Sequence, residues 1–119
     1  MQKFRDLKVW QRSHQLTLNI YGLTSKFPSE ERFGVTSQLR RAAVSVPSNI
    51  AEGSKRRQPR DYAHFLNIAE ASLAETEYLL ILSRDLGYLS DEENSKVFPE
   101  VDEISRMLNA LYTKVSPQP

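Results

Sequence analysis

Apolar residues recur at three- and four-residue steps along most of the chain, which is the spacing of one face of an α-helix. The pattern predicts four helices, over residues of about 6–26, 30–53, 60–86 and 91–115. The fourth shows it most plainly, with an apolar seam of Val97, Val101, Ile104, Leu108, Leu111 and Val115. Because short connections between helices of this length favour antiparallel neighbours, we expect an all-α fold, an antiparallel up-down four-helix bundle.

Residues at the predicted helix ends agree with these boundaries. Asp6 and Ser29 stand where their side chains can cap the first two helices. Ser90 and Glu93 have the spacing of a capping box at the start of the fourth. Pro59 suits the first turn of the third helix, and Gly87 stands where that helix should stop. The tail, residues 116–119, is expected to be disordered.

Pro47 interrupts the second helix and should kink it. Proline has no amide hydrogen for the carbonyl of Ala43, and its ring crowds that carbonyl. Ser48 and Asn49 follow directly, and we expect them to satisfy backbone groups that the proline leaves free. Gly53 is placed to end the helix in the left-handed conformation.

A polar line runs beside the apolar face of this helix. It consists of Gln38, Arg41, Ser45, Ser48, Asn49 and Glu52. The line has the character of a ligand site, and equally of a hydrogen-bonded seam that fixes helix register or a subunit contact. A kinked helix needs satisfied polar groups, which favours the structural interpretation. Glu75 on the third helix is a candidate partner for Arg41.

The same segment resembles a family signature. The 23S rRNA-intervening sequence proteins, a four-helix-bundle family, have roughly Gln-hydrophobic-Arg-Arg-Ala and then Ser-hydrophobic-Pro-Ser-Asn-Ile-Ala-Glu-Gly. Here residues 38–42 read QLRRA and residues 45–53 read SVPSNIAEG. The resemblance implies a ring-shaped homo-oligomer, a homopentamer, and a relation to the basic accessory protein of diversity-generating retroelements. That protein engages a reverse transcriptase and its RNA, so the resemblance implies structured RNA or a reverse-transcriptase-like protein as partners.

Two of the helices carry two apolar lines each. In the first helix Leu7, Trp10, Leu18 and Tyr21 form one line, and Val9, Leu16, Ile20, Leu23 and Phe27 form the other. The third helix repeats this arrangement. Both lines together make either one wide stripe inside an ordinary bundle or a surface for self-association.

Composition and charge narrow the class of protein. The 119 residues suit one domain, residues 1–119, and sixteen basic against fifteen acidic side chains leave a net charge of +1. A nucleic-acid site must therefore be local rather than a property of the whole surface. The chain has no cysteine, no signal-like start and no apolar run of membrane-spanning length. We expect a cytoplasmic protein with no membrane partner.

A local basic cluster follows the second helix. It consists of Lys55, Arg56, Arg57 and Arg60, with Arg40 and Arg41 earlier on the helix. Arginine contacts phosphate in a bidentate manner, and repetition around a ring would strengthen a weak patch. These six residues are the predicted nucleic-acid site of an RNA or nucleoprotein adaptor. The alternatives are a solvated loop and a protein-interaction scaffold without nucleic-acid contact.

Nothing in the sequence indicates an enzyme, a metal or a cofactor. His14 and His64 are isolated on different helices, and Glu70, Glu75 and Glu77 lack the Glu-x-x-His pairs of a di-metal bundle. There is no glycine-rich phosphate loop and no nucleophile elbow.

Overall fold

Four helices make up the structure, a computed structural model that describes residues 3–117. They are α1 (Lys8–Thr24), α2 (Val35–Ser54), α3 (Pro59–Asp85) and α4 (Asp91–Val115), and short 3-10 helices, Phe4–Asp6 and Ser29–Glu31, precede α1 and α2. Residues 3–117 contain no strand, which confirms the all-α prediction. Residues 118 and 119, half of the tail predicted to be disordered, lie outside the described residues.

Contacts between neighbouring helices run in opposite order along the two chains, so the neighbours are antiparallel. The contacting pairs are Thr17–Ala43 and Thr24–Arg40 for α1 and α2, Ser45–Ser72 and Gly53–Phe65 for α2 and α3, and Arg12–Glu103 and Lys26–Glu93 for α1 and α4. Each helix packs on two neighbours, and diagonally opposite helices do not approach within the described chain. This is the arrangement of an up-down bundle.

The core takes most of the apolar lines that the sequence shows. Leu16 and Ile20 of α1, Leu66 and Leu80 of α3, and Leu108 of α4 are all at most 1% exposed. Within residues 3–117 six large apolar side chains stay exposed: Leu18 and Tyr21 on α1, Phe33 in the turn before α2, Val44 in the middle of α2, Tyr78 on α3 and Leu86 at its C-terminal cap. The second apolar line of α1 is therefore mainly a core line, and the residual apolar surface is concentrated on α1 and α2.

Both ends of the α3–α4 connection are built as the sequence predicts. Gly87 has φ of 82°, and the amides of Gly87 and Tyr88 donate to the carbonyls of Arg84 and Ser83, each at 2.9 Å. These are the two hydrogen bonds of a Schellman motif. The capping box is also confirmed, since the Ser90 side chain accepts from the Glu93 amide and the Glu93 carboxylate accepts from the Ser90 amide.

The predicted caps of α1 and α2 are wrong. Asp6 belongs to the 3-10 helix that precedes α1, and Leu7 occupies the N-cap position without a side-chain hydrogen bond. Ser29 also lies in a 3-10 helix, and α2 starts only at Val35. Glu31 satisfies the Val35 amide instead, at 3.3 Å. A carboxylate four residues ahead performs the role that the sequence assigned to a serine.

α2 runs without interruption through Pro47, and the kink at this residue stays a prediction. The carbonyl of Ala43 accepts a hydrogen bond from the Thr17 hydroxyl of α1 at 3.1 Å, rather than from Ser48 or Asn49. The same hydroxyl lies 2.9 Å from the Ser13 carbonyl, so the two acceptors share it. The acceptor that proline leaves free is thus satisfied across a helix interface.

Gly53 has a different role from the predicted one. Gly87 is the only residue between 3 and 117 with a positive φ, so Gly53 does not end α2 in the left-handed conformation. It is buried inside the helix, and a Cβ there would lie 2.8 Å from Cβ of Phe65 and 3.1 Å from the ring of Tyr62. The glycine therefore allows close approach of α2 and α3.

No helix within residues 3–117 combines the length and apolar character needed to cross a bilayer.

Candidate nucleic-acid interface

The basic residues after α2 lie together at one end of the bundle. Lys55 caps the C-terminus of α2, Arg56 and Arg57 form the connection with Gln58, and Pro59 starts α3 just before Arg60. All four basic side chains are exposed. We call Lys55, Arg56, Arg57 and Arg60 the link cluster. Its place is fixed by the close contact at Gly53, which brings the two helix ends together.

Two members of the link cluster rest on aromatic rings. The guanidinium of Arg56 lies 4.7 Å from the centroid of the Phe65 ring, and the ammonium of Lys55 lies 5.9 Å from that of Phe4. Arg56 also pairs with Glu52 at 3.7 Å. Within residues 3–117 neither Arg57 nor Arg60 has an ion-pair partner. The cluster therefore presents more positive charge than its acidic neighbours neutralise.

Tyr62 packs beneath the link cluster, against Gly53. Burial raises the pKa of its phenol above the ordinary value, and its hydroxyl has no hydrogen-bond partner in the described chain. The side chain therefore stays neutral at physiological pH and adds no charge to this end of the bundle.

Arg40 and Arg41 do not join the link cluster. At 1.5 Å per residue, the fourteen or fifteen residues between them and Lys55 correspond to roughly 20 Å of helix. Arg40 instead fastens α2 to the last turn of α1. Its Nε donates to Thr24 Oγ1 at 2.7 Å, a terminal nitrogen donates to the Tyr21 carbonyl at 3.3 Å, and its guanidinium covers the Tyr21 ring at 4.5 Å.

Arg41 faces solvent in an open groove beside the start of α2. The groove has a volume of about 600 Å³ and is lined by three arginines and three apolar side chains: Arg32, Arg40, Arg41, Tyr21, Phe33 and Val44. We call it the arginine–aromatic groove. The six predicted nucleic-acid residues are thus divided between two sites at opposite ends of α2.

Part of the polar line forms a hydrogen-bonded connection between α2 and α3. The hydroxyls of Ser45 and Ser72 are 2.7 Å apart, and the Asn49 amide donates to the Ser45 carbonyl at 2.7 Å and to its hydroxyl at 3.0 Å. The three side chains are only partly buried. The three residues hydrogen-bond to one another, which is the arrangement of a structural seam between two helices.

The remaining members of the polar line face solvent. Gln38, Ser48 and Glu52 are exposed, and Glu75 is exposed on α3. None of the ion pairs in residues 3–117 joins Arg41 to Glu75, so the pairing suggested by the sequence is not formed within one chain. Glu52 turns towards the link cluster instead.

The histidines and carboxylates form no common site in the described chain. His14 stacks on Trp10 with ring centroids 5.1 Å apart, and His64 lies edge-on to Phe65 at 5.8 Å. Residues 3–117 contain no group of three or more histidine, aspartate or glutamate side chains that could hold a metal ion.

Comparison with known proteins gives a family. The model of the 23S rRNA-intervening sequence protein family matches residues 5–110. The chain belongs to this family. Its members include proteins without an assigned activity, so family membership does not itself identify a reaction or a ligand for this chain.

A solved structure shares the fold. It is the 1.70 Å crystal structure of a protein of unknown function from the S23 ribosomal protein family of Bacteroides thetaiotaomicron. The two sequences are 27% identical, the TM-score is 0.81, and the match covers 87% of this chain and 97% of that one. No protein with a curated description matches this chain.

The sequence did not predict the roles of three residues, Thr17, Arg32 and Phe33. Thr17 gave no local sign of its bond to Ala43, which is 26 residues away. Arg32 and Phe33 stand outside the regular helical pattern, in the turn before α2. The one signal for them was Gly34 directly after them, because a glycine between two helical segments indicates a turn whose side chains face outward.

Proposed function

We propose that this chain is a non-enzymatic, homo-oligomeric adaptor of the cytoplasm that binds structured RNA through the link cluster. One observation carries the proposal. Four exposed basic side chains lie at one end of the bundle, and within residues 3–117 only Arg56 among them has an ion-pair partner, Glu52. Lysine and arginine at phosphates release condensed counterions, so such a surface binds RNA without a catalytic centre. Because the overall charge is only +1, RNA binding at this site would depend on the local excess of positive charge.

Self-association would strengthen RNA binding by the link cluster. A shallow depression of about 380 Å³ on α1 and α2 is lined by apolar groups of Phe4, Trp10, Val44, Pro47 and Ala51 and by the polar side chains of His14, Thr17 and Ser48, and no aspartate, glutamate, lysine or arginine lines it. Exposed apolar surface of this kind is typical of protein contacts. A ring of copies, pentameric as the family resemblance implies, would repeat the link cluster and raise the effective concentration of phosphate contacts.

The proposed RNA contact is tested by the salt dependence of binding to an RNA hairpin. Replacing Lys55, Arg56, Arg57 and Arg60 with alanine should weaken binding at least about tenfold at low salt. The slope of log affinity against log salt should fall by about one for each phosphate that the variant no longer touches. A matched variant replaces Lys8, Lys96, Arg106 and Lys114, four exposed basic residues elsewhere. Equal weakening in both variants would show general charge rather than a site.

Sedimentation tests the oligomer separately. A homogeneous particle of 13.7 kDa at micromolar concentration would overturn self-association. Ala51→Lys should dissociate the oligomer, because Ala51 lines the apolar depression but not the arginine–aromatic groove, and a lysine there would put a charge into a buried contact.

A second candidate function is a protein-interaction scaffold without RNA contact. Tyr78 and Leu86 favour it, since they are 59% and 49% exposed on α3, away from the apolar depression of α1 and α2. A partner chain that binds wild type but not Tyr78→Ala, together with no measurable affinity for the hairpin, would establish this function instead.

A further inference from the structure

The arginine–aromatic groove combines groups that a packed bundle has no structural need to expose. Phe33 is 87% exposed in the turn before α2, and Tyr21 is 44% exposed on the facing side of α1. The turn is held by backbone hydrogen bonds from the Gly34 amide to Glu31 at 2.9 Å and from the Gln38 amide to Gly34 at 3.1 Å. The exposed ring is therefore presented by an ordered segment of chain.

The charge that lines the groove is entirely positive. The guanidinium of Arg32 lies 5.5 Å from the centroid of the Phe33 ring, and that of Arg40 covers the Tyr21 ring. Arg41 lines the same groove and is exposed to solvent. No acidic side chain lines the groove. A complementary occupant must therefore bring negative charge as well as a flat apolar surface.

Polar side chains also line the groove. Thr36 lines the groove and is 8% exposed, and its hydroxyl has no hydrogen-bond partner in the described chain. Ser37 adds a second hydroxyl to the lining, whereas the Ser45 hydroxyl is already hydrogen-bonded to Ser72 and Asn49. The Thr36 hydroxyl is shielded from solvent, so the case for the groove depends on its exposed rings and positive charge.

We propose that the arginine–aromatic groove binds unpaired nucleotides of single-stranded RNA. A base stacks on Phe33, and Arg32 and Arg41 contact the adjoining phosphates. Stacking on aromatic side chains and ionic contact with phosphates are the two interactions by which proteins hold single strands. The inference rests on the proposed function in taking RNA as the ligand, and it adds a site that discriminates single strand from duplex.

The geometry separates the two sites by roughly 20 Å along α2, from Arg41 to Lys55. The phenylalanine rings at the link cluster, Phe4 and Phe65, are partly buried and already covered by Lys55 and Arg56, so the cluster offers mainly charge, which suits the backbone of a duplex. Bases inside a duplex are stacked on each other and cannot reach Phe33. An RNA hairpin with a single-stranded extension would occupy both sites, whereas the hairpin alone would occupy the link cluster.

Phe33→Ala is the variant that isolates stacking. We expect its affinity for a short single-stranded RNA to fall about tenfold, in line with the loss of one stacked base, while its affinity for a duplex of equal length changes less than about twofold. The salt slope should not change, because no charge is removed. Phe33→Trp should restore binding, and Tyr78→Ala, which removes an exposed aromatic ring from α3, should leave it unaltered.

An abasic ribose-phosphate strand gives the sharpest control. Wild type and Phe33→Ala should bind it equally, since the strand has phosphates but no base to stack. Arg41→Ala should weaken binding to both strands and reduce the salt slope by about one. A tenfold effect of Phe33→Ala on the abasic strand would overturn the stacking role.

Failure of this inference is distinguishable from failure of the proposed function. Unchanged single-strand binding in Phe33→Ala, together with abolished duplex binding in the link-cluster variant, would remove the groove site alone. No binding of any RNA by wild type would remove both proposals. Dissociation of an oligomer by Phe33→Ala would assign the groove to a second copy, and equal, Phe33-dependent binding of polyglutamate would assign it to an acidic protein; either result overturns the proposal.

Discussion

α2 contacts its two sequence neighbours in different ways. Against α3 it uses a glycine and short hydroxyl and amide side chains, so the backbones approach closely and the interface closes. Against α1 the contacts are made by long or polar side chains, Arg40 of α2 and Thr17 of α1, and an open groove with exposed aromatic rings remains outside. The difference shows how one helix can have a tightly packed side that fixes the link cluster and an open side that is accessible to a ligand.

The largest loss of stability is expected from a substitution that disrupts the close contact between α2 and α3. Gly53→Ala places a Cβ 2.8 Å from the Cβ of Phe65, and overpacking of this kind costs about 1–3 kcal/mol of unfolding free energy. Gly22→Ala is the matched control, because a Cβ there meets no atom within 4 Å. The control should stabilise the protein by about 0.5–1 kcal/mol, the usual gain from alanine in a helix.

Urea denaturation of both variants measures this contrast. Stabilisation by both alanines would mean that α2 and α3 are not in close contact at Gly53. The link-cluster variant should unfold like wild type, because its four side chains are exposed.

An intermediate effect is expected at the open interface. Thr17→Val keeps the shape of the side chain but removes the donor to the Ala43 carbonyl, which should cost about 1–2 kcal/mol. In a Pro47→Ala background the new amide can donate to Ala43, so the same substitution should cost less. A double-mutant cycle of the unfolding free energies measures the coupling, and strict additivity would contradict the proposed satisfaction of this carbonyl.

The smallest effect on stability is expected at Glu93, which lies outside both interfaces of α2 and depends on pH. The hydrogen bond from Lys26 at 2.7 Å, followed by that from the Ser90 amide, lowers the pKa of Glu93 below its ordinary value of 4.5. A lowered carboxyl pKa adds stability that is present above pH 4.5 and is lost as pH falls through the folded-state pKa.

Glu93→Gln keeps the shape and an acceptor for the cap but removes the charge. The unfolding free energies of wild type and this variant should differ at pH 6 and converge as pH falls below about 4.5. The pH dependence of Gly53→Ala and Thr17→Val should follow wild type, because neither residue contacts Glu93. A constant difference between wild type and Glu93→Gln across this range would exclude the charge effect.

Features with a local cause were predictable from the sequence. The apolar seam of α4 follows from the spacing of Val97, Val101, Ile104 and Leu108, all of which are buried. The capping box needs only Ser90 and Glu93, three residues apart. Such features depend on neighbours within one or two helical turns, so the chain itself specifies them.

Features with a distant cause were not predictable. A glycine at the end of a helical pattern serves either a left-handed turn or a close contact, and only the position of Phe65 decides for Gly53. The separation of Arg40 from the link cluster depends on helix length, and its attachment to Thr24 depends on the bundle. Phe33 resembles any other apolar residue in the sequence, although the turn before α2 leaves it in solvent.

Glu31 links two connections of the chain beside the open side of α2. One carboxylate oxygen accepts from the Val35 amide, and the other accepts from the Tyr88 hydroxyl at 2.8 Å, which raises the pKa of that phenol. The single side chain therefore ties together the connections before α2 and after α3. A groove wall that is held by such hydrogen bonds loses less conformational entropy when a ligand binds, so more of the contact energy would remain as affinity.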